Sequence, residues 1–356
     1  MPLYKNTINN LDNRIRMDFK KLLNTIIKVI LPLCLGLLLF WFVYRNIHFG
    51  ELWNIIKKGV RYDIILYSLG FGLIANVIRG YRWGLLVDSI GEKFRLRNMI
   101  YAVLGNYAIN IVLPLRAGEL WRCGIITKYE KIPFSKLFGT LVVDRAFDTL
   151  MVALITFSII FINFGFFSNF FSNNPELLSG IYGIFDSVWL YVGIIGFAVL
   201  CFVVFYFMRN TAIVQKIKAI LLDIWTGIKS VWMLKKKGLF IVETFLIWIC
   251  YFFYFYITFY AFGFTKDLGV QVGLITFVMS SIAVAVPVQG AIGPWHFMVI
   301  ASLTIFGVDK TDAAAFALVV HTVQTLWTGL CGLFGIVALP IANRDVPTTT
   351  EKIQAH

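Results

Sequence analysis

The charged residues that follow Pro114 have the types and the spacing of an anion-binding site. Arg116, Glu119 and Arg122 stand three residues apart, so that on a helix they would lie close to one another along one face. Arginine binds phosphate oxygens in a bidentate fashion. Arg116 and Arg122 are therefore candidates to bind a phosphate group, with Glu119 as a counter-charge.

A second charged group, Asp144, Arg145 and Asp148, opens a later apolar segment. Asp144 and Asp148 are four residues apart on one helical face, where two unpaired carboxylates would repel each other. They therefore need a cationic partner, and Arg116 or Arg122 is the expected one. The alternative is that the group lies at a helix end near the membrane surface and pairs locally, Arg145 with Asp148.

Arg79 and Arg82 end another apolar segment. An ionisable side chain inside a membrane costs about 2.5–3.5 kcal/mol, which favours a functional role. The equally open alternative is that both arginines extend to the cytoplasmic interface. If all of these charged groups converge on one cavity, its arginines outnumber its acids, and it should attract an anion such as a lipid phosphate.

A proline and glycine interruption occurs in each half of the chain. Paired interruptions in the two halves of a transporter point to its binding site, because broken helices expose backbone groups to the substrate. The alternative is that proline and glycine are simply common in membrane helices. The residues expected to break helices are Pro114, Pro287, Gly290, Gly293 and Pro294.

Polar side chains gather around both interruptions and are candidates to line a cavity. Hydrogen bonding between helices is the alternative explanation for each of them. The histidines among them could titrate near neutral pH and serve proton coupling. These polar positions are Asn106, Asn110, Gln289, His296, His321 and Gln324.

The elements that carry these residues follow from the composition. Of the 356 residues 59% are hydrophobic and 14% charged, which is too little polar surface for a soluble globule of this size. Apolar stretches of about 17–25 residues match the length of membrane-spanning helices. We predict an all-α polytopic membrane protein with eight spans, at residues 24–44, 63–87, 138–164, 187–208, 239–262, 270–287, 294–308 and 316–340.

The basic residues predict the orientation of the spans, because cytoplasmic loops are enriched in lysine and arginine. Residues 165–186 contain neither, whereas residues 209–238 contain seven. We expect tails 1–22 and 342–356 to be cytoplasmic and residues 23–341 to form one transmembrane domain. The short apolar stretch 98–115 has basic residues at both ends, which predicts a re-entrant hairpin. Residues 45–61 are typical of an interfacial helix.

Three motifs together resemble the lysylphosphatidylglycerol synthase transmembrane-region family, the flippase-like domain of the multiple peptide resistance factor. They are Leu113 to Arg122, Val143 to Asp148, and the break from Pro287 to Gly293. The resemblance implies an inner-membrane protein that moves lipids or lipid-linked head groups between leaflets, or that assists enzymes which do. It does not extend to the aminoacyl-transfer domain, so we expect no lipid lysylation by this chain alone.

The resemblance also carries over to individual residues. The chain departs from the family pattern at Ala291, where the family has the second glycine of a pair, and at His296, where it has a glutamate. Asp144 also stands where glutamate is more common. The positions that match the family's site are Arg116, Gly118, Glu119, Arg122, Arg145 and Asp148.

The leading hypothesis is a translocase for an anionic phospholipid or lipid-linked saccharide. One alternative is a membrane-embedded transferase that uses Glu119 or Asp148 as a general base. Another is a non-catalytic subunit that binds a membrane or cytoplasmic enzyme through the basic residues 209–238. We expect no cofactor, no metal and no nucleic-acid partner, because the sequence contains no nucleotide-binding motif and no metal-ligand spacing.

Overall fold

The computed structural model describes residues 33–45, 47–162 and 229–344 without 285 and 287, together with scattered positions between 164 and 226 and Ile30. The tails 1–22 and 345–356 lie outside the described residues, as do most of the predicted span 187–208 and of the segments 165–186 and 209–228. The regular structure of the described chain is helical, with one isolated β-bridge between Val60 and Phe262.

We number the described helices in chain order. Two turns of 3₁₀-helix, Ile257–Ala261 and Gln289–Ala291, adjoin them. The α-helices are α1 (Leu33–Tyr44), α2 (Phe49–Lys58), α3 (Tyr62–Ser89), α4 (Leu96–Val112), α5 (Ala117–Glu130), α6 (Phe134–Ile162), α7 (Ser230–Met233), α8 (Lys237–Tyr256), α9 (Gly269–Ala283), α10 (Pro294–Ile305) and α11 (Lys310–Ala342).

Among the described residues, four helices are long and apolar enough to cross a membrane. They are Tyr62–Ser89, Phe134–Ile162, Lys237–Ala261 and Lys310–Ala342. Each overlaps one predicted span. A fifth span results if α1 and α2, which meet at an angle of 92°, are counted as one broken segment. The predicted total of eight is therefore not confirmed.

The segment 45–61 contains the expected short helix, α2. Leu52 is buried on one side of it, whereas Phe49 and Trp53 are more than half exposed. The Lys57 ammonium lies 5.0 Å from the centroid of the Trp53 ring. An apolar surface that carries a lysine beside a tryptophan is typical of a helix that lies at a membrane interface.

The segments 270–287 and 294–308, predicted as two spans, are instead a pair of short helices. α9 has 15 residues and α10 has 12, fewer than the 20 or so that a membrane-spanning helix needs. Thr276 Oγ1 and Ser302 Oγ are 2.9 Å apart, at similar distances along the chain from the break between the helices. α9 and α10 therefore run antiparallel, and we call them, with residues 284–293 between them, the second hairpin.

Helices α4 and α5, joined by residues 113–116, form the first hairpin. The beginning of α4 lies beside the end of α5, because Arg95 donates hydrogen bonds of 3.1 Å to the Glu130 carboxylate and to the Tyr129 carbonyl. Both ends of this hairpin thus lie together, which is the geometry expected of a chain that enters and leaves on one side.

The long helix α11 packs against the first hairpin along its C-terminal half. A methyl group on Gly335 would lie 2.6 Å from the Tyr101 carbonyl oxygen, and one on Gly332 would lie 2.5 Å from the Ala108 Cβ. Glycine at these positions lets the backbones of α4 and α11 approach closely. Since Arg97 also bonds to the Ala342 carbonyl, α4 and α11 are antiparallel.

The second hairpin reaches α11 from the opposite end. α10 leads into the start of α11 through residues 306–309, and the tip between α9 and α10 bonds to His321 in the first half of α11. The two hairpins therefore approach α11 from opposite ends, and their tips lie near its middle.

The chain divides into two compact units. The first combines Met1–Arg82, Arg95–Glu130 and Leu239–His356, and it contains both hairpins and α11. The second combines Trp83–Phe94 with Lys131–Gly238. In the second unit, Trp83 Nε1 donates to Thr140 Oγ1 at 3.0 Å, and Lys136 pairs with Glu92 at 2.8 Å.

Candidate functional site

The first hairpin reverses at Pro114. Leu113 ends α4 with an extended backbone (ψ 139°), as is usual for a residue before proline. Leu115 and Arg116 then adopt φ values of 56° and 53°, in the left-handed region that residues other than glycine rarely occupy. Such a conformation persists only where its surroundings hold it, and it is common at binding sites.

The two asparagines before the break stabilise the start of α5. Asn110 Oδ1 accepts a 2.8 Å hydrogen bond from the Gly118 backbone N–H, and Asn110 Nδ2 lies 3.3 Å from Asn106 Oδ1. One of the unpaired N–H groups of the first turn is thus satisfied by α4. A methyl group on Gly118 would lie 2.1 Å from the Asn106 carbonyl oxygen. These contacts favour the packing explanation for both asparagines.

The predicted phosphate ligands occupy different environments in α5. Arg116 is 41% exposed and lies 3.6 Å from Glu119 Oε1, whereas Glu119 is 15% exposed. Arg122 is fully buried. Arg116, the residue before α5, therefore presents one accessible guanidinium at the N-terminus of that helix, and Arg122 lies deeper in α5.

The second hairpin also reverses through left-handed backbone. Gly290, Ala291 and Gly293 have φ values of 57°, 57° and 92°, and Pro294 begins α10, a position where its missing N–H costs nothing. Ala291 is the position where the family pattern has glycine, and a positive φ explains that preference. Pro287 lies outside the described residues.

The tips of the two hairpins are in contact. Arg116 Nη2 donates a 2.9 Å hydrogen bond to the Val284 carbonyl oxygen, and α4 packs against the turn Gln289–Ala291. The two interruptions, far apart in sequence, thus form one region. Because α5 and α10 both begin there, the positive ends of two helix dipoles lie in the region.

His296 and His321 meet at the tip of the second hairpin. Their ring centroids are 4.5 Å apart, and both side chains are buried, as is the side chain of Gln289. His321 Nε2 lies 2.9 Å from the Gly290 carbonyl oxygen. Gln324, in contrast, exchanges hydrogen bonds with Tyr254 of α8 and so contributes to helix packing.

Arg79 and Arg82 are buried inside the protein. Their relative exposures are 3% and 0%, so neither guanidinium extends to the protein surface. Arg79 Nε lies 3.3 Å from Tyr251 Oη, and Arg82 Nη1 lies 3.4 Å from Thr244 Oγ1. Both partners belong to α8. The faces of α3 and α8 that carry these residues therefore pack against each other.

Sequence reasoning missed the polar partners of these arginines. Tyr251 Oη donates a 2.8 Å bond to Asn76 Oδ1 and lies 3.1 Å from Tyr107 Oη, which links α3, α8 and the first hairpin. Glu243 is buried in α8 within electrostatic range of Arg82. An acid inside a predicted apolar segment, near its beginning, is the signal that could identify Glu243.

In the second unit, Arg145 pairs with both acids of α6. Its Nη2 lies 3.1 Å from Asp144 Oδ2 and 3.2 Å from Asp148 Oδ2. The predicted local pairing of Arg145 with Asp148 is therefore present, and Arg145 also pairs with Asp144. Asp144 is fully buried, so this triad is more than a surface ion pair. The described residues contain no group of three or more potential metal ligands.

These features define an α-helical integral membrane protein in which two broken helical hairpins meet beside a long helix. The chain belongs to the family described as the lysylphosphatidylglycerol synthase TM region, whose model matches residues 29–332. The three motifs from which the resemblance was drawn all lie within this match.

Two curated relatives match shorter stretches. The UPF0104 membrane protein MJ1595 of Methanocaldococcus jannaschii is 29% identical over 108 residues, which is 30% of this chain and 32% of the relative. The glycosyltransferase AglD of Haloferax volcanii is 29% identical over 76 residues, 21% of this chain and 12% of that protein. The alignments thus span a third or less of either relative. No solved structure gives a significant match.

Proposed function

We propose that this protein moves an anionic lipid, a phospholipid or a lipid-linked saccharide, between the leaflets of a membrane. The observation that supports the proposal is the junction of the two hairpin tips, with Arg116 bonded to the Val284 carbonyl. Broken helices whose ends meet inside a membrane domain are the usual setting for a transported substrate.

The charges at the junction favour an anion. Arg116 is accessible at the tip of the first hairpin, and the positive ends of α5 and α10 lie beside it. A phosphate could replace the Val284 carbonyl as the acceptor of the Arg116 guanidinium, because a charged acceptor binds an arginine more strongly than a neutral one does. In this proposal Arg122, Gly118 and Glu119 belong to the same site.

Family membership is consistent with a lipid substrate. The family is named for the membrane region of a synthase whose product is an aminoacylated phosphatidylglycerol, and phosphatidylglycerol carries one phosphate charge. We therefore take phosphatidylglycerol as the first substrate to test. We further propose an inner-membrane location with both termini in the cytoplasm, so that the first hairpin enters from the cytoplasmic side.

The experiment compares lipid movement in proteoliposomes that contain fluorescent phosphatidylglycerol or fluorescent phosphatidylcholine. The wild type should move phosphatidylglycerol faster than protein-free vesicles do, and Arg116→Gln should lower that rate about tenfold, because the loss of a charged hydrogen bond costs about 1.5–3 kcal/mol. Arg61→Gln, which removes an exposed arginine that pairs with Asp63, should leave the rate of phosphatidylglycerol movement unchanged. A wild-type rate equal to background, or equal rates for Arg116→Gln and the wild type, would refute the proposal.

A membrane-embedded transferase is the second candidate, because one relative is named as a glycosyltransferase. In that case Glu119, at the tip of the first hairpin, would act as a general base. Mass spectrometry of candidate lipids after incubation with pure protein separates the two candidates, since a transferase changes lipid masses and a translocase does not. The docking alternative concerns residues 209–238, most of which lie outside the described residues.

A further inference from the structure

The tip of the second hairpin contains two histidines whose protonation states follow from their partners. A carbonyl oxygen only accepts hydrogen bonds, so Nε2 of His321 must carry the proton that it shares with Gly290, 2.9 Å away. A backbone N–H only donates, so Nδ1 of His296 must be unprotonated to accept from Gly293 at 3.4 Å. In the observed arrangement the hydrogen bonds therefore require a neutral His296, and they leave His321 Nδ1 open to a proton.

The surroundings of the pair disfavour a charge. His296 is 2% exposed and His321 is 9% exposed. Aromatic rings cover His296, with the centroids of Phe40 and Tyr44 at 5.2 and 5.7 Å. An ion removed from water in this way is destabilised, and two imidazolium ions with centroids 4.5 Å apart would also repel each other. At most one proton can therefore be accommodated.

Few other titratable groups face the pair. Tyr44 approaches from α1 and donates its hydroxyl to the Ala314 carbonyl, and each histidine faces the other from α10 or α11. Arg116 is the charged group at the far end of the same tip, bonded to Val284. His296 is the third residue of α10, so a cation there also lies against the positive end of that helix.

We propose that His296 and His321 form a proton-binding site that controls the tip of the second hairpin. Protonation of Nδ1 of His296 abolishes its bond to the Gly293 N–H and places a cation in the aromatic contact with α1. The protonated pair is more stable when water reaches it, so acid favours an open tip and neutral pH a closed one. The site would couple proton binding to lipid movement, and this role rests on the proposed function.

The closed tip depends on contacts that an opening would break. A methyl group on Gly293 would lie 2.7 Å from the Gly36 carbonyl oxygen and 2.7 Å from the Leu39 Cβ, so α1 and the tip are in close backbone contact. Opening therefore exposes the amides of residues 288–297, and hydrogen–deuterium exchange can measure it without any lipid transport.

The test measures amide exchange of the tip peptide in nanodiscs at pH 7.5 and pH 5.5, corrected for the intrinsic pH dependence of exchange. Opening that is linked to one proton changes its equilibrium constant by up to tenfold per pH unit. We expect corrected exchange in the wild type to be about tenfold faster at pH 5.5. His48→Gln, which removes a histidine that is not part of the pair, is the matched control and should show the same acid-induced increase as the wild type.

The variants His296→Gln and His321→Gln, singly and together, retain a hydrogen-bonding side chain that does not titrate. The double variant should show corrected exchange that is independent of pH. The proposal is overturned if the wild type shows no acid-induced increase, or if the double variant retains one. If acid increases the exchange of the wild type but neither the wild type nor any variant moves lipid at either pH, the proposed function fails while the proton site stands.

Discussion

Arg116 and Val284 are joined by a hydrogen bond of 2.9 Å across 168 positions of the chain. Val284 follows the end of α9, where the last carbonyl groups of a helix lack partners within the helix. The guanidinium supplies one such partner, and it also lies 3.6 Å from Glu119. The bond therefore gives the Val284 carbonyl a partner and holds the two tips together. A bound anion would compete with this carbonyl for the guanidinium.

Gly118→Ala should destabilise the protein, because the new methyl group would lie 2.1 Å from the Asn106 carbonyl oxygen, and backbone atoms cannot move aside cheaply. We expect the free energy of unfolding to fall by about 1–3 kcal/mol, which would lower the midpoint of thermal unfolding in detergent. Gly124→Ala, in the same helix with nothing within 4 Å, is the control and should be neutral or stabilising. Equal midpoints for the two variants would contradict the close approach of α4 and α5.

Gly332→Ala should disturb the contact between α11 and α4, since the added carbon would lie 2.5 Å from the Ala108 Cβ and 2.8 Å from the Leu104 carbonyl oxygen. An overpacked helix contact of this kind costs about 1–3 kcal/mol. Gly329→Ala lies one turn away on α11, and its nearest neighbour there is 3.6 Å distant. The midpoint of thermal unfolding in detergent should therefore be lower for Gly332→Ala than for Gly329→Ala. A lower midpoint for Gly329→Ala would count against the antiparallel packing.

Arg145→Ala removes a cation that pairs with two acids, one of which, Asp144, is fully buried. Breaking a buried ion pair from one side costs about 3–5 kcal/mol. The added substitution Asp144→Asn should restore part of the loss, because it removes the buried charge. The exposed pair of Arg61 and Asp63 offers the control, and Arg61→Ala should have little effect on the free energy of unfolding. Similar losses for the two arginines would show that the triad is not buried in solution.

Tyr251→Phe removes a hydroxyl that contacts Asn76, Tyr107 and Arg79. Removing hydrogen bonds from buried polar groups lowers the free energy of unfolding by about 1–3 kcal/mol, so we expect a clear decrease in unfolding temperature. Tyr260→Phe removes an exposed hydroxyl that contacts Tyr256, and it should have little effect. If both variants have the same unfolding temperature as the wild type, the network does not stabilise the fold.

The sequence predicts the long spans and the positions of the two breaks, because hydropathy, proline and glycine act locally. It does not distinguish a short span from one arm of a hairpin, which is why residues 270–308 were predicted as two crossings. The short lengths of α9 and α10 become evident only when the break between them has defined bounds.

The composition of the candidate site was harder to predict. Arg116 and the break that carries it were identified, but nothing in residue type signals that Leu115 and Arg116 adopt left-handed backbone. The contacts of Tyr251 with Asn76 and Tyr107 join residues that are 175 and 144 positions apart. Such pairings depend on how helices are arranged, and a single sequence does not specify that arrangement. Pairing of Arg145 with Asp148, three residues later on α6, in contrast, follows from spacing.

The open end of the first hairpin, opposite its tip, is bonded to the C-terminal end of α11. Asn98 and Asn343 exchange two reciprocal side-chain hydrogen bonds of 3.0 and 2.9 Å, and Asn343 also bonds to the Leu339 carbonyl. To shift α4 along α11, the protein must break this interlocked amide pair, whereas one contact of the second tip with α11 is the hydrogen bond between His321 and the Gly290 carbonyl. In the proposed transport cycle, the first hairpin and α11 would therefore stay fixed relative to each other, and the second hairpin would move against them.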